Sequence, residues 1–126
     1  MFVRTKSEYK CEYCTITDNS AKSGGFAYGE IDSKVDIMHS RLSKNFSALK
    51  GSVLMLNTCK NNSQFINNTV YENEVGYAGT LYLIKSSIAI NDTIMHDNSE
   101  TSKSAQTPGI SSILSTIVVY NSEFYN

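Results

Sequence analysis

An asparagine returns along this chain at a nearly fixed interval. Asn19, Asn45, Asn73 and Asn98 each follow a short strand-like segment, at spacings of 26, 28 and 25 residues. A unit of that size, made of two or three short strands, cannot bury its own apolar face, so copies must stack to make a core. The residue three before each of these asparagines is apolar, namely Ile16, Leu42, Val70 and Met95, and is expected inside. Two residues earlier stand Cys14, Ser40, Asn68 and Thr93, small or polar side chains on the same face of a period-two strand and able to stack as a ladder.

A second element follows the asparagine. Ala21-x-x-Gly24-Gly25-Phe26-Ala27-Tyr28 is echoed by Ala48-x-x-Gly51-Ser52-Val53-Leu54 and by Val75-x-x-Ala78-Gly79-Thr80-Leu81-Tyr82. The glycine marks a bend. Alignment on Gly25, Gly51 and Gly79 stacks Ala27, Val53 and Leu81 inward, then Gly29, Met55 and Leu83, and turns Tyr28, Leu54 and Tyr82 outward. The fourth turn departs from the pattern: Ser99 to Pro108 is a polar stretch expected to protrude as a loop, after which Pro108-Gly109 opens the next strand. Val118 to Phe124 repeats the strand that begins each turn, and its own anchoring asparagine would fall at position 127.

The expected fold is therefore all-β, a right-handed parallel β-helix of about four coils of 25–28 residues, forming a single domain over residues 1–126 or a section of, or subunit in, a longer β-helix. With strands about 4.8 Å apart, the stack would be about 20 Å long. An antiparallel sandwich is the rival, but it calls for hairpin turns such as Asn-Gly or Asp-Gly, and neither dipeptide occurs.

The coils resemble those of the pectin-lyase-like class, and in particular the polymorphic outer-membrane protein repeats. The elements that carry this are Gly24-Gly25-Phe26-Ala27-Tyr28, Leu42-Ser43-Lys44-Asn45, Val70-Tyr71-Glu72-Asn73 and Met95-His96-Asp97-Asn98, over nearly the whole chain from Cys11 onward. The chain departs from those repeats in having Leu, Val or Met where Phe is usual, and Gly-Ser or Gly-Thr for Gly-Gly. The resemblance implies a fold more than an activity.

Charge narrows the partners. Eleven basic and twelve acidic residues leave a net charge of -1, and no basic stripe or phosphate-cradling glycine loop occurs, so nucleic acid and nucleotides are not expected partners. The longest apolar runs, Val53 to Leu56 and Leu81 to Ile84, are far short of the roughly 20 residues of a membrane span. Residues 1–7 do not read as a signal peptide.

The search for chemistry yields modification sites and few reactive groups. Asn45, Asn61, Asn67 and Asn91 each begin an N-glycosylation sequon, with Asn61 in the polar Lys60-Asn61-Asn62-Ser63 bend the best placed and Asn45 belonging to the repeat's own turn. Cys11 and Cys14 are spaced for a disulfide, a redox pair or half a zinc site, but no second pair completes a metal centre; Cys59 is left over as a thiol for bridging to another chain. Asp18, Lys44, Glu72 and Asp97 precede the anchoring asparagines and stack, which reads as an exposed ion-pair ladder rather than a catalytic row. His39 and His96 fall at different places in the repeat and are not expected to converge. No catalytic residue, metal or cofactor is expected.

A solenoid without end caps exposes strand edges and core residues. No capping helix is visible, and Ile117-Val118-Val119-Tyr120 is strongly β-forming. The expectation is a non-catalytic structural or adhesive protein, extracellular or on the cell surface, that self-associates through its ends into filaments and presents surface glycans. The alternative is a fragment of a pectin-lyase-like carbohydrate-active enzyme or a carbohydrate-binding module.

Overall fold

Short runs in which apolar and polar residues alternate form strands, and single residues that pass through a left-handed backbone conformation bend the chain between them. In a computed structural model, which describes residues 1–102 and 109–125, this produces a parallel β-solenoid, all-β with no helix among the described residues. The first coil runs through β1 (Phe2–Val3), β2 (Glu8–Glu12), β3 (Thr15–Thr17) and β4 (Ser20–Ser23). The second comprises β5 (Ala27–Glu30), β6 (Lys34–Met38), β7 (Arg41–Ser43) and β8 (Phe46–Lys50), and the third β9 (Leu54–Asn57), β10 (Ser63–Ile66), β11 (Thr69–Tyr71) and β12 (Glu74–Val75). The fourth has β13 (Leu81–Ile84), β14 (Ser87–Asn91), β15 (Ile94–His96) and β16 (Ser99–Glu100), followed by β17 (Ile110–Ile113), β18 (Thr116–Tyr120) and β19 (Glu123–Tyr125).

Corresponding strands of successive coils pair in parallel and make four faces. Sheet A is β1-β5-β9-β13-β17, sheet B β2-β6-β10-β14-β18, sheet C β3-β7-β11-β15-β19 and sheet D β4-β8-β12-β16. The core is a set of columns along the axis. Cys11, Ile37, Phe65, Ile90 and Val119 line up inside sheet B, and Ile16, Leu42, Val70, Met95 and Phe124 inside sheet C. Full burial of each large aliphatic side chain is worth about 1.5–3 kcal/mol.

The corners explain the repeat. Between sheets B and C the left-handed residue is Tyr13, His39, Asn67, Asp92 or Asn121; between C and D it is Asp18, Lys44, Glu72 or Asp97. After each comes a residue whose side chain serves the backbone of the coil before. The Cys14 N–H donates to Ser40 Oγ at 3.0 Å, Ser40 N–H to Asn68 Oδ1 at 3.0 Å, Asn68 N–H to Thr93 Oγ1 at 3.3 Å and Thr93 N–H to Ser122 Oγ at 3.1 Å. The expected ladder therefore exists, but it sits in a corner rather than within a strand, where it accepts N–H groups that the bend takes out of the sheet. A matching ladder joins A to B, with Cys59 N–H donating to Ser86 Oγ and Ser86 N–H to Ser115 Oγ.

Three expectations are corrected. The glycine that bends with positive φ in the second coil is Gly24, so Gly51 aligns with Gly24 and not with Gly25. The pairing is Ala27 with Leu54 and Leu81, Tyr28 with Met55 and Tyr82, and Gly29 with Leu56 and Leu83. A one-residue slip exchanges the two faces of a strand, so Met55 joins the outward column while Leu54 and Leu56 are buried. Second, the repeat read from Cys11 onward starts earlier, since residues before Cys11, within the single domain expected over 1–126, form β1 and the start of β2. Third, Ser99 and Glu100 form β16 rather than opening a loop; the remainder of the expected loop, at residues 103–108, lies outside the described residues.

Candidate functional site

The anchoring asparagines are structural. Asn19 Nδ2 donates to Asn45 Oδ1, Asn45 Nδ2 to Asn73 Oδ1 and Asn73 Nδ2 to Asn98 Oδ1, each at 2.9 Å. The backbone N–H of each of the first three donates to the same oxygens. The second amide proton of Asn45, Asn73 and Asn98 reaches back to the carbonyl of Ile16, Leu42 or Val70. The three are buried, so this file satisfies backbone and side chain together away from the surface.

That bonding bears on the sequons. Asn45 has both amide protons engaged inside the ladder and offers no nitrogen to a glycan. Asn61 and Asn67 are exposed, with side-chain amides resting on the Asp32 carbonyl at 2.7 Å and on His39 Nδ1 at 2.9 Å; Asn91 is half-buried and donates to Asp92.

Cys11 and Cys14 form a disulfide, with Cα atoms 6.1 Å apart, bridging β2 to the first B–C corner. Cys59 is free but wholly buried, and burial raises its thiol above the ordinary value. An inward-facing neutral thiol is not placed to bridge to another chain, which corrects the expectation for Cys59. The stacked Asp18, Lys44, Glu72 and Asp97 are the left-handed corner residues, and no ion pair joins one to another among the described residues. Asp18 accepts from Thr17 Oγ1 at 2.9 Å and Asp97 pairs with His96 at 2.8 Å, each with its neighbour in the chain, so the expected ion-pair ladder does not form. His39 stacks on Tyr13, and His96 lies between Tyr71 and Tyr125 at centroid distances of 5.4 and 5.6 Å, so the two histidines stay apart. No group of three or more metal-ligating side chains gathers among the described residues.

Sheet A carries an aromatic groove of about 500 Å³ lined by Lys50, Tyr77, Tyr82 and Ile110 to Ile113. Lys50 Nζ donates to the Tyr82 hydroxyl at 2.8 Å and lies 4.4 Å from its ring centre. Tyr82 is buried, so the outward column of Tyr28, Met55 and Tyr82 is not an exposed aromatic strip.

The two ends of the stack differ. In the first coil the inward residues are covered: Cys11 is 5 % exposed and Ile16 6 %, and Tyr9 packs edge-on against Phe26. At the other end the same columns finish in Val119, 42 % exposed, and Phe124, 43 % exposed. Outward-facing Val118, Tyr120 and Tyr125 and the corner residue Leu114 extend that surface. Beside it, on sheet D, Glu100 stacks on Val75, both its carboxyl oxygens shielded and without a hydrogen-bond partner among the described residues, and desolvation raises its pKa.

No helix among the described residues is long and apolar enough to cross a membrane. Comparison with known proteins finds no matching family, no matching characterised protein and no matching solved structure.

Proposed function

We propose that this chain is a non-catalytic structural or adhesive module that works outside the cell and assembles end to end into filaments. The observation that carries the proposal is the exposed apolar surface of the last described coil, where Val119 and Phe124 are 42 % and 43 % exposed beside Val118, Tyr120 and Tyr125. Exposed apolar patches mark contact surfaces. The resemblance of the coils to outer-membrane protein repeats of the pectin-lyase-like class fits a surface role, and Asn61 and Asn67 are the sequons on which surface glycans would sit. Negative-stain electron microscopy over a range of concentrations tests the reading. Filaments with an axial repeat near one solenoid are expected; dispersed single particles at every concentration would overturn it.

A second reading, a carbohydrate-binding surface module or fragment of a carbohydrate-active enzyme, is favoured by the groove in which Lys50 meets Tyr77 and Tyr82. An array of acidic and neutral polysaccharides, with a Lys50→Met variant as control, would support it through binding that the variant loses.

A further inference from the structure

Resting on the second reading, in which the groove on sheet A takes carbohydrate, we infer that its ligand is an anionic saccharide, a sugar chain carrying carboxylate or sulfate groups, held between the Lys50 ammonium and the exposed ring of Tyr77.

The cation is the first argument. Lys50 closes β8, and its ammonium donates to the Tyr82 hydroxyl at 2.8 Å while lying 4.4 Å from the ring centre of Tyr82 and 6.0 Å from that of Tyr77. Two π faces attract the charge without neutralising it. No carboxylate pairs with Lys50 among the described residues, whereas Arg4, Lys10 and Lys34 each have one. An ammonium carries three donors and Tyr82 takes one, which leaves donors for an anion in the groove. Lysine is a compact point charge and not a planar fork, so it suits a carboxylate and a sulfate ester alike.

The wall is the second. The groove holds about 500 Å³, within the roughly 300–1,000 Å³ of ligand pockets in general, so it admits more than a small free anion. Tyr82 is 3 % exposed and Tyr77 beside it 47 %. Tyr77 therefore offers an open ring, apolar on its face and polar at its tip, which matches the C–H face and hydroxyl rim of a pyranose. Ser111, paired with Tyr82 on the outer face of sheet A, adds a hydroxyl to the lining.

The backbone is the third, and it separates a saccharide from an acidic peptide. Extended peptides dock by adding a strand to a free sheet edge. The strand that carries Tyr82, β13, pairs with β9 on one side and β17 on the other, so it has no free edge to offer. Recognition is left to one charge, one open ring and hydroxyls.

Two sets of polymers test this by biolayer interferometry with the whole chain: dextran, carboxymethyl dextran and dextran sulfate, then hydroxyethyl cellulose, carboxymethyl cellulose and cellulose sulfate. Within each set the backbone is constant and the substituent changes. The carboxylated and sulfated forms should bind at least about tenfold more tightly than the neutral form, as expected for a hydrogen bond to a charged group. Lys50→Gln should abolish that preference and Lys50→Arg, which keeps the charge, should retain it. Tyr77→Ala, at an exposed position that spares the core, should weaken the anionic forms by about fivefold although it removes no charge. Circular dichroism checks the fold of each variant. Undiminished binding by Tyr77→Ala, or an equal loss in Lys60→Gln, an exposed charge outside the groove, would reveal diffuse ion exchange and overturn the inference. Polyglutamate bound as tightly as the anionic polysaccharides, with the same dependence on Lys50, would overturn it in favour of an acidic peptide. Neutral and anionic forms bound equally by parent and Lys50→Gln would overturn the anionic class and leave the carbohydrate reading intact; no binding to any of the polysaccharides would overturn both.

Discussion

The asparagine file concentrates buried polarity in single residues. Asn73 accepts from the N–H and the side chain of Asn45, donates to the Leu42 and Tyr71 carbonyls, and donates to Asn98. Asn73→Ala leaves the Asn45 donors and the Leu42 carbonyl buried without partners, at about 1–3 kcal/mol for each such group before the structure relaxes. A loss of about 3–4 kcal/mol is expected. Asn19→Ala, at the partly exposed start of the file, should cost about 1 kcal/mol, since the Asn19 N–H keeps its bond to Asn45. Urea midpoints of the two variants measure the difference. The left-handed corners make a second residue-scale prediction. Lys44 has φ 55° and an exposed side chain outside any ion pair among the described residues. A side chain in that conformation costs about 1–2 kcal/mol, partly offset in a glycine by the greater freedom of the unfolded chain. Lys44→Gly should therefore raise stability by up to about 1 kcal/mol, whereas Lys44→Val, β-branched, should lower it. Equal midpoints for the three proteins would show that the corner carries no backbone strain.

At the scale of strands and corners, what could be read in advance depended on whether a residue type is forced. The column of Ile16, Leu42, Val70 and Met95 and the asparagine file were legible because only an apolar side chain fits inside and only a carboxamide both accepts and donates along the stack. The bend residues themselves were not, because Tyr13, His39, Lys44 and Glu72 adopt left-handed backbones that their side chains do not announce. The third-coil register was misread because Gly24-Gly25 offers two bend glycines and only φ distinguishes them. The first two strands were missed because Lys6-Ser7 makes the same corner as Asp32-Ser33 with no asparagine to signal it. The open last coil was foreseen from its β-forming run, but not its contrast with the covered first coil, which depends on packing between Tyr9 and Phe26. Glu100 was not singled out at all, because an inward carboxylate at the end of sheet D contradicts the pattern of its column. Its pKa is raised, so the stabilisation linked to its proton is complete below the ordinary glutamate value near 4.5 and is lost as the pH rises through the folded value. Glu100→Gln should accordingly raise the denaturation midpoint at about pH 7 and have little effect at about pH 4, below the unfolded value. A pH-independent difference between variant and parent would mean that the carboxylate is solvated.

For the whole molecule, stability is close to a sum over coils and the contacts between neighbours, so it is lowest where a neighbour is missing. The middle coils have core residues such as Leu56, Phe65, Val70 and Leu83 wholly or almost wholly buried and a coil on either side. The last strands have a coil on one side, half-exposed core residues, and corner ladders that end at Ser115 and Ser122. Local opening should therefore begin at β17 to β19 in single copies, while β9 to β14 open only with the whole fold. Assembly supplies the missing neighbour, and a partner that binds the closed form alone shifts the opening equilibrium in proportion to its occupancy. Amide hydrogen exchange followed by mass spectrometry at two concentrations, below and above the onset of filaments, separates the effects. The middle strands should be protected equally in both. Peptides covering 110–125 should exchange rapidly when dilute and slow by at least about tenfold when concentrated, which corresponds to about 1.4 kcal/mol of added local stability. Peptides covering β2 and β3 should slow in parallel, because an end-to-end contact covers the first coil of the next copy. Slowing confined to 110–125 would place the contact between two tails, and slowing on the outer face of one sheet along the whole length would place it on the side of the solenoid, where growth would make bundles instead of a file.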